Sequence, residues 1–285
     1  MTDTTATTFT TEANLAHVRP TRDAARRAFV ALLLRDLTVL RKELGMFLTR
    51  TIMQPFLLLF VFTYVFPKIG QGIGGGGRAS EGFSTLLTAG VIGSAMIFQG
   101  IQAVALPMVQ DFGFTREIED RVLAPLPIWA VAFEKVAAGA IQAMLAALVV
   151  FPLALFVPAT AVHLTVRPLY LVTLLPLGAL MSASLGLAIG TRVEPRQVSL
   201  IFSLLVIPMT FLGCVYYPWA NLEPIKWLKI GVLVNPLVYL NEGLRLSLTT
   251  GIPHMHAVAI YLVIIGFTAV LLRAGIKGFK KRVLT

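Results

Sequence analysis

Six long apolar runs, separated by short charged or Pro- and Gly-rich stretches, dominate the chain at about 47–66, 83–107, 128–157, 169–190, 198–217 and 257–273. A helix rises 1.5 Å per residue, so about 20 mostly apolar residues cross about 30 Å of hydrocarbon. Each run therefore predicts a transmembrane helix. Pro55 falls inside the first, where neighbouring helices can satisfy the carbonyl it frees. The third is long enough to tilt.

The rest of the pattern predicts what lies between the spans. Residues 1–19 are small, polar and without periodicity, which predicts a disordered tail. Over 20–46 the apolar positions Phe29, Leu33, Leu37, Leu40 and Leu44 recur at helical spacing opposite Arg27, Arg35, Thr38 and Lys42. Such a basic amphipathic helix lies in a membrane interface. Arg26 and Asp36 depart from the stripe, which leaves packing against protein as the alternative. Between Pro218 and His256 the apolar fragments are too short to cross and are broken by Asn235-Pro236, which predicts short re-entrant helices before the last span. The expected fold is thus an all-α integral membrane protein, with a tail at 1–19, an interfacial helix at 20–46 and a six-span domain at 47–285.

Composition agrees with this: 56% of residues are hydrophobic and 13% charged, about half the charge of a soluble domain. A net charge of +10 raises nucleic acid as a partner, but the basic residues sit at the ends of apolar runs instead of on one soluble face. That placement suits anionic lipid headgroups and sets orientation. With the amino terminus inside, about seventeen Lys and Arg fall on the cytoplasmic side and about six on the other. Both termini are therefore expected in the cytoplasm. Met1–Thr11 has no basic segment followed by an apolar one, so the first span is expected to direct its own insertion.

Motif chemistry is sparse. Gly72, Gly74 and Gly77 match a dinucleotide-loop spacing, but Arg78-Ala79 follows where a phosphate loop needs Lys and then Ser or Thr. Asp111-Phe112-Gly113 spells the kinase magnesium triplet without any other kinase element. Cys214 is the sole cysteine, and His254 and His256 lack a nearby carboxylate or thiol, so no metal site is expected. Ionisable residues inside spans usually mark proton or ion relays. None falls near a span centre, which disfavours a proton-coupled carrier and a membrane enzyme working through carboxylates. Glu134 and Lys135 stand in the first turns of the third span, within reach of the interface or of each other.

The segment Arg116-Glu117-Ile118-Glu119-Asp120-Arg121-Val122-Leu123 is densely charged yet keeps Ile118, Val122 and Leu123 on one side. A solvated loop is the plain reading. The apolar stripe instead suits a knob that enters a partner's groove.

That segment, running on to Ala124-Pro125 with Lys135 beyond it, resembles a motif of the permeases of type-2 ABC exporters. So does the series Pro208-Met209-Thr210-Phe211-Leu212-Gly213, Tyr217-Pro218, Leu222, Pro224, Asn235-Pro236 and Glu242-Gly243-Leu244-Arg245. The resemblance runs from about Arg35 to the carboxyl end. It implies a six-span subunit that pairs with a second permease copy and with two nucleotide-binding ATPase subunits, which would hold ATP and magnesium. This chain would carry no cofactor. It further implies that Arg116–Leu123 is the coupling helix and that Asn235, Pro236, Glu242 and Arg245 belong to the re-entrant region. Substrate is then expected along facing surfaces of the second and fifth spans, with Phe202, Phe211, Tyr216 and Tyr217 as lining rings and Gly90, Gly93 and Gly100 allowing close helix approach. A membrane-embedded enzyme or assembly factor is the alternative, and it would need a polar catalytic cluster at one membrane face.

Overall fold

The computed structural model describes residues 22–70, 78–115 and 126–284, and among them all regular structure is helical. The expected tail, the centre of the Gly-rich loop and the charged segment Arg116–Leu123 lie outside the described residues.

Helix α1 covers Arg22–Lys42 and α2 opens at Leu44, running through a π-helical stretch to Lys68. Helix α3 is Arg78–Gln110, α4 is Ile128–Phe156 and α5 is Pro168–Gly190. The shorter α6 (Val198–Phe211), α7 (Lys226–Gly231) and α8 (Pro236–Leu248) precede the terminal α9, Ala257–Leu284. Among the described residues five helices are long and apolar enough to cross a membrane: Leu44–Lys68, Glu81–Gly113, Ile128–Phe156, Pro168–Gly190 and Ala257–Val283.

Helix α3 is the axis of the bundle, buried along most of its length, whereas α2 and α9 turn mostly exposed apolar faces outward. It packs on α4, α5 and α8. Small residues make the approach possible. A Cβ on Gly90 would stand 2.9 Å from the carbonyl carbon of Val215, and one on Gly100 would stand 2.5 Å from Ser182 Cβ. The expectation for these glycines, and for Gly93 against Asn241, is met by backbones that touch where side chains would hold them apart.

The fifth expected span differs from its sequence reading. Helix α6 stops at Phe211 after 14 residues, about 21 Å of rise, instead of continuing to 217. The chain there turns through Cys214, which adopts φ 54°, and then meets Pro218. Neither is compatible with continuing an α-helix. The last helix is longer than expected, running on to Leu284.

The amphipathic helix packs on protein as well as presenting apolar residues outward. Phe29 of α1 stacks on Phe133 of α4 with ring centroids 6.3 Å apart, while Val30, Leu34 and Val39 stay exposed.

Candidate translocation and coupling site

A cleft of 430 Å³ opens between α1, α2, α3 and α4. Its walls carry Arg50 from α2, Gln99, Gln102 and Gln110 from α3, and Gln142 from α4. It adjoins a narrow recess of 30 Å³ through the shared residues Arg50, Gln99 and Gln102. The α3 residues share a face because they recur three, eight and eleven positions apart on a 3.6-residue repeat. Thr51 Oγ1 donates to Gln99 Oε1 at 3.3 Å, and Gln99 Nε2 donates to Gln142 Oε1 at 3.4 Å. Three apolar helices are thus joined by a polar chain across their common groove. The sequence reading passed over these residues because it weighed only full charges. The available signal was four glutamines, at 54, 99, 102 and 142, inside apolar runs.

At one end the cleft meets a charged cluster. Lys135 Nζ lies 3.1 Å from Asp36 and 3.8 Å from Asp111, with all three side chains largely buried. Glu134 is fully buried beside them in sequence. Glu134 and Lys135 are expected from the sequence to reach the interface or each other; Lys135 instead meets Asp36 of α1 and Asp111 just beyond α3. Asp36, which broke the amphipathic stripe, has its physical reason here as the carboxylate that meets Lys135.

Asp111 also opens the π-helical turn Asp111–Thr115, directly before the charged segment Arg116–Leu123. Phe112 packs edge-on against Phe279 at 5.7 Å, and Arg282 stands over its ring at 4.9 Å. Asp-Phe-Gly is therefore a packing element that ties α3 to α9. Helices α1, α3, α4 and α9 all converge around Asp111–Thr115.

A second polar constellation closes the break after α6. Arg245 has no exposed surface, yet it carries a full charge. Its Nη1 donates to Glu242 Oε1 at 2.8 Å, and its Nη2 donates to the Cys214 carbonyl and, at 3.3 Å, to that of Val215. Glu242 in turn accepts from the N–H of Trp219 at 3.0 Å and of Met255 at 2.9 Å. Asn241 donates to the Gly213 carbonyl at 2.7 Å, and Asn235 to that of Met209 at 2.7 Å. Asn235 also caps α8 through Leu237 N, with Pro236 at the first helical position. The carbonyls of Met209, Gly213, Cys214 and Val215, at and after the end of α6, are thus satisfied by side chains from α8 and its cap.

Of the four rings expected to line a path, three gather. Phe211 and Tyr216 lie 5.9 Å apart, Tyr216 meets Phe62 of α2 at 5.8 Å, and Tyr217 donates its hydroxyl to the Phe211 carbonyl at 3.1 Å. Phe202, nine residues before Phe211 on the same helix, stands about 13 Å further along it. It packs against the core. Among the described residues no group of three or more His, Cys, Asp or Glu is placed to hold a metal ion.

The family model for the ABC-2 type transporter matches residues 27–249. The chain is 27% identical over 241 residues to the inner membrane transport permease YadH of Escherichia coli strain K12, covering 78% of this chain and 90% of that protein. The YadH permease of Shigella flexneri matches to the same extent.

Proposed function

Because this chain belongs to the ABC-2 type transporter family, we propose that it is the transmembrane subunit of an ATP-binding-cassette exporter, forming the path for a lipid, drug or glycan substrate. The observation that carries the reading is the polar cleft set among helices long enough to cross a membrane. Helices facing only lipid have no use for a connected row of amides, whereas a transport path does.

A separate ATPase supplies the energy, and ATP and magnesium are bound there. The charged segment Arg116–Leu123 docks to it, and the convergence of four helices at its base carries the movement into the bundle. Two permease copies form the functional unit in an inner membrane. Both termini lie in the cytoplasm, where Lys and Arg are concentrated. Helix α6 with the turn after it makes the sixth crossing, and the short helices up to α8 form the re-entrant region held by Asn235, Glu242 and Arg245.

Co-expression with tagged ATPase subunits from the same genome tests this. One of them is expected to co-purify with the chain and to hydrolyse ATP in the complex, while the chain alone, freed of contaminants, hydrolyses none. Robust hydrolysis by the chain alone would refute the reading.

A further inference from the structure

The cleft has a chemistry that transport by itself does not specify. At its mouth, Asp36 and Asp111 are matched to Lys135. Where it narrows, the lining holds Arg50 with Gln54, Gln99 and Gln102, and no carboxylate. Arg50 is exposed to the cleft and has no hydrogen-bond or ion-pair partner among the described residues. Gln102 has none either, and of the Gln142 amide only the oxygen is engaged, by Gln99. The cleft's carboxylates, Asp36, Glu43 and Asp111, line the wider part and not the recess, and a guanidinium fork beside free amide groups there is a receptor for a group with several anionic oxygens. The recess wall beside these groups is apolar, formed by Pro55, Leu58 and Phe98. A free ion has no use for such a wall.

We infer that this cleft recognises the phosphate-bearing headgroup of an amphiphile, with Arg50 and Gln102 as donors and Pro55, Leu58 and Phe98 meeting the start of its tail. The inference rests on the permease reading and narrows its substrate class.

The test is equilibrium binding of dioctanoyl phosphatidic acid to the purified full chain in neutral detergent, compared with dioctanoylglycerol and with inorganic phosphate as competitor. Hydrogen bonds to charged groups are strong enough that Arg50→Gln should weaken binding about tenfold or more. Gln102→Leu should weaken it several-fold, and Arg50→Lys should retain part of it. Lys68→Gln, at the far end of the same helix, should bind as wild type. Dioctanoylglycerol should bind at least about tenfold more weakly than phosphatidic acid, and phosphate should compete only in large excess. Binding by monodisperse Arg50→Gln within about twofold of wild type, well under the loss of one such bond, would overturn the site. Competition by phosphate at the lipid's own concentration would reassign it to a free anion and overturn the amphiphile. Neither result alters ATPase co-purification, so failure of the site and failure of the permease reading are separable.

Discussion

Arg245 and Glu242 show how a full charge pair is held inside an apolar bundle. Burying either ion alone is prohibitive, so each is surrounded by fixed partners: one guanidinium serves a carboxylate and two carbonyls, and one carboxylate serves that guanidinium and two backbone N–H groups. Removing one partner from such a pair costs about 3 to 5 kcal/mol. Arg245→Met should therefore lower the thermal midpoint sharply in detergent-based size-exclusion assays. The double variant Glu242→Gln/Arg245→Met should recover part of the loss, but not all of it, because a single amide oxygen replaces the two that served Trp219 and Met255. Full recovery would show that the backbone contacts contribute nothing. Gly90 makes the same point through space. With a Cβ 2.9 Å from the Val215 carbonyl carbon, Gly90→Ala should cost about 1 to 3 kcal/mol from overpacking. Gly266→Ala, with nothing within 4 Å, should be silent in the same assay.

A stacked ring pair and a buried ion pair join helix α1 to α4, while much of its apolar surface stays exposed. Lys135→Met removes the cation shared by Asp36 and Asp111, so α1 should loosen from α4. A disulfide between Phe29→Cys and Phe133→Cys, built on a Cys214→Ser background, reports this: oxidative cross-linking should be efficient with Lys135 and several-fold slower with Lys135→Met. Unchanged cross-linking would show that the ion pair does not hold α1 in place. The charged segment beyond α3 is argued at the same scale. At a docked interface, reversing one charge costs about 2 to 5 kcal/mol. Glu117→Lys should therefore keep normal membrane levels but lose ATPase co-purification and export, whereas Glu81→Lys, at the far end of α3, should retain both. Equal recovery of the ATPase with Glu117→Lys would reduce the segment to a loop.

For the molecule as a whole, orientation is the property that every functional assignment depends on. The cleft serves export only if its mouth, with Lys135 and the charged segment, faces the ATPase. In the proposed orientation, argued from the asymmetry of Lys and Arg, that end is cytoplasmic. Single cysteines on a Cys214-free background should then be labelled in intact cells at Gly75 and Glu223, but at Thr2 and Thr285 only after permeabilisation. The reverse pattern would invert the exporter.

The sequence by itself determined the class of this protein and the positions of most of its long helices. Span length is a one-dimensional property: about 20 apolar residues in a row meet the membrane requirement whatever they pack against. The runs at 47–66, 83–107, 128–157 and 169–190 accordingly reappear as helices within a few residues. The motif series from Pro208 to Arg245 was legible too, because prolines, Asn-Pro and a Glu242–Arg245 spacing of three are local signals of a break, a cap and a helical ion pair. What only the tertiary structure decided was which distant residues meet. Asp36, Asp111 and Lys135 are scattered over 99 positions, and nothing local distinguishes their pairing from solvated charges. The amides of Gln99, Gln102 and Gln142 read singly as tolerated polar residues. Only the crossing of α2, α3 and α4 makes them one surface, because the cost of burying a polar group, and hence its meaning, is set by the partners the fold brings to it.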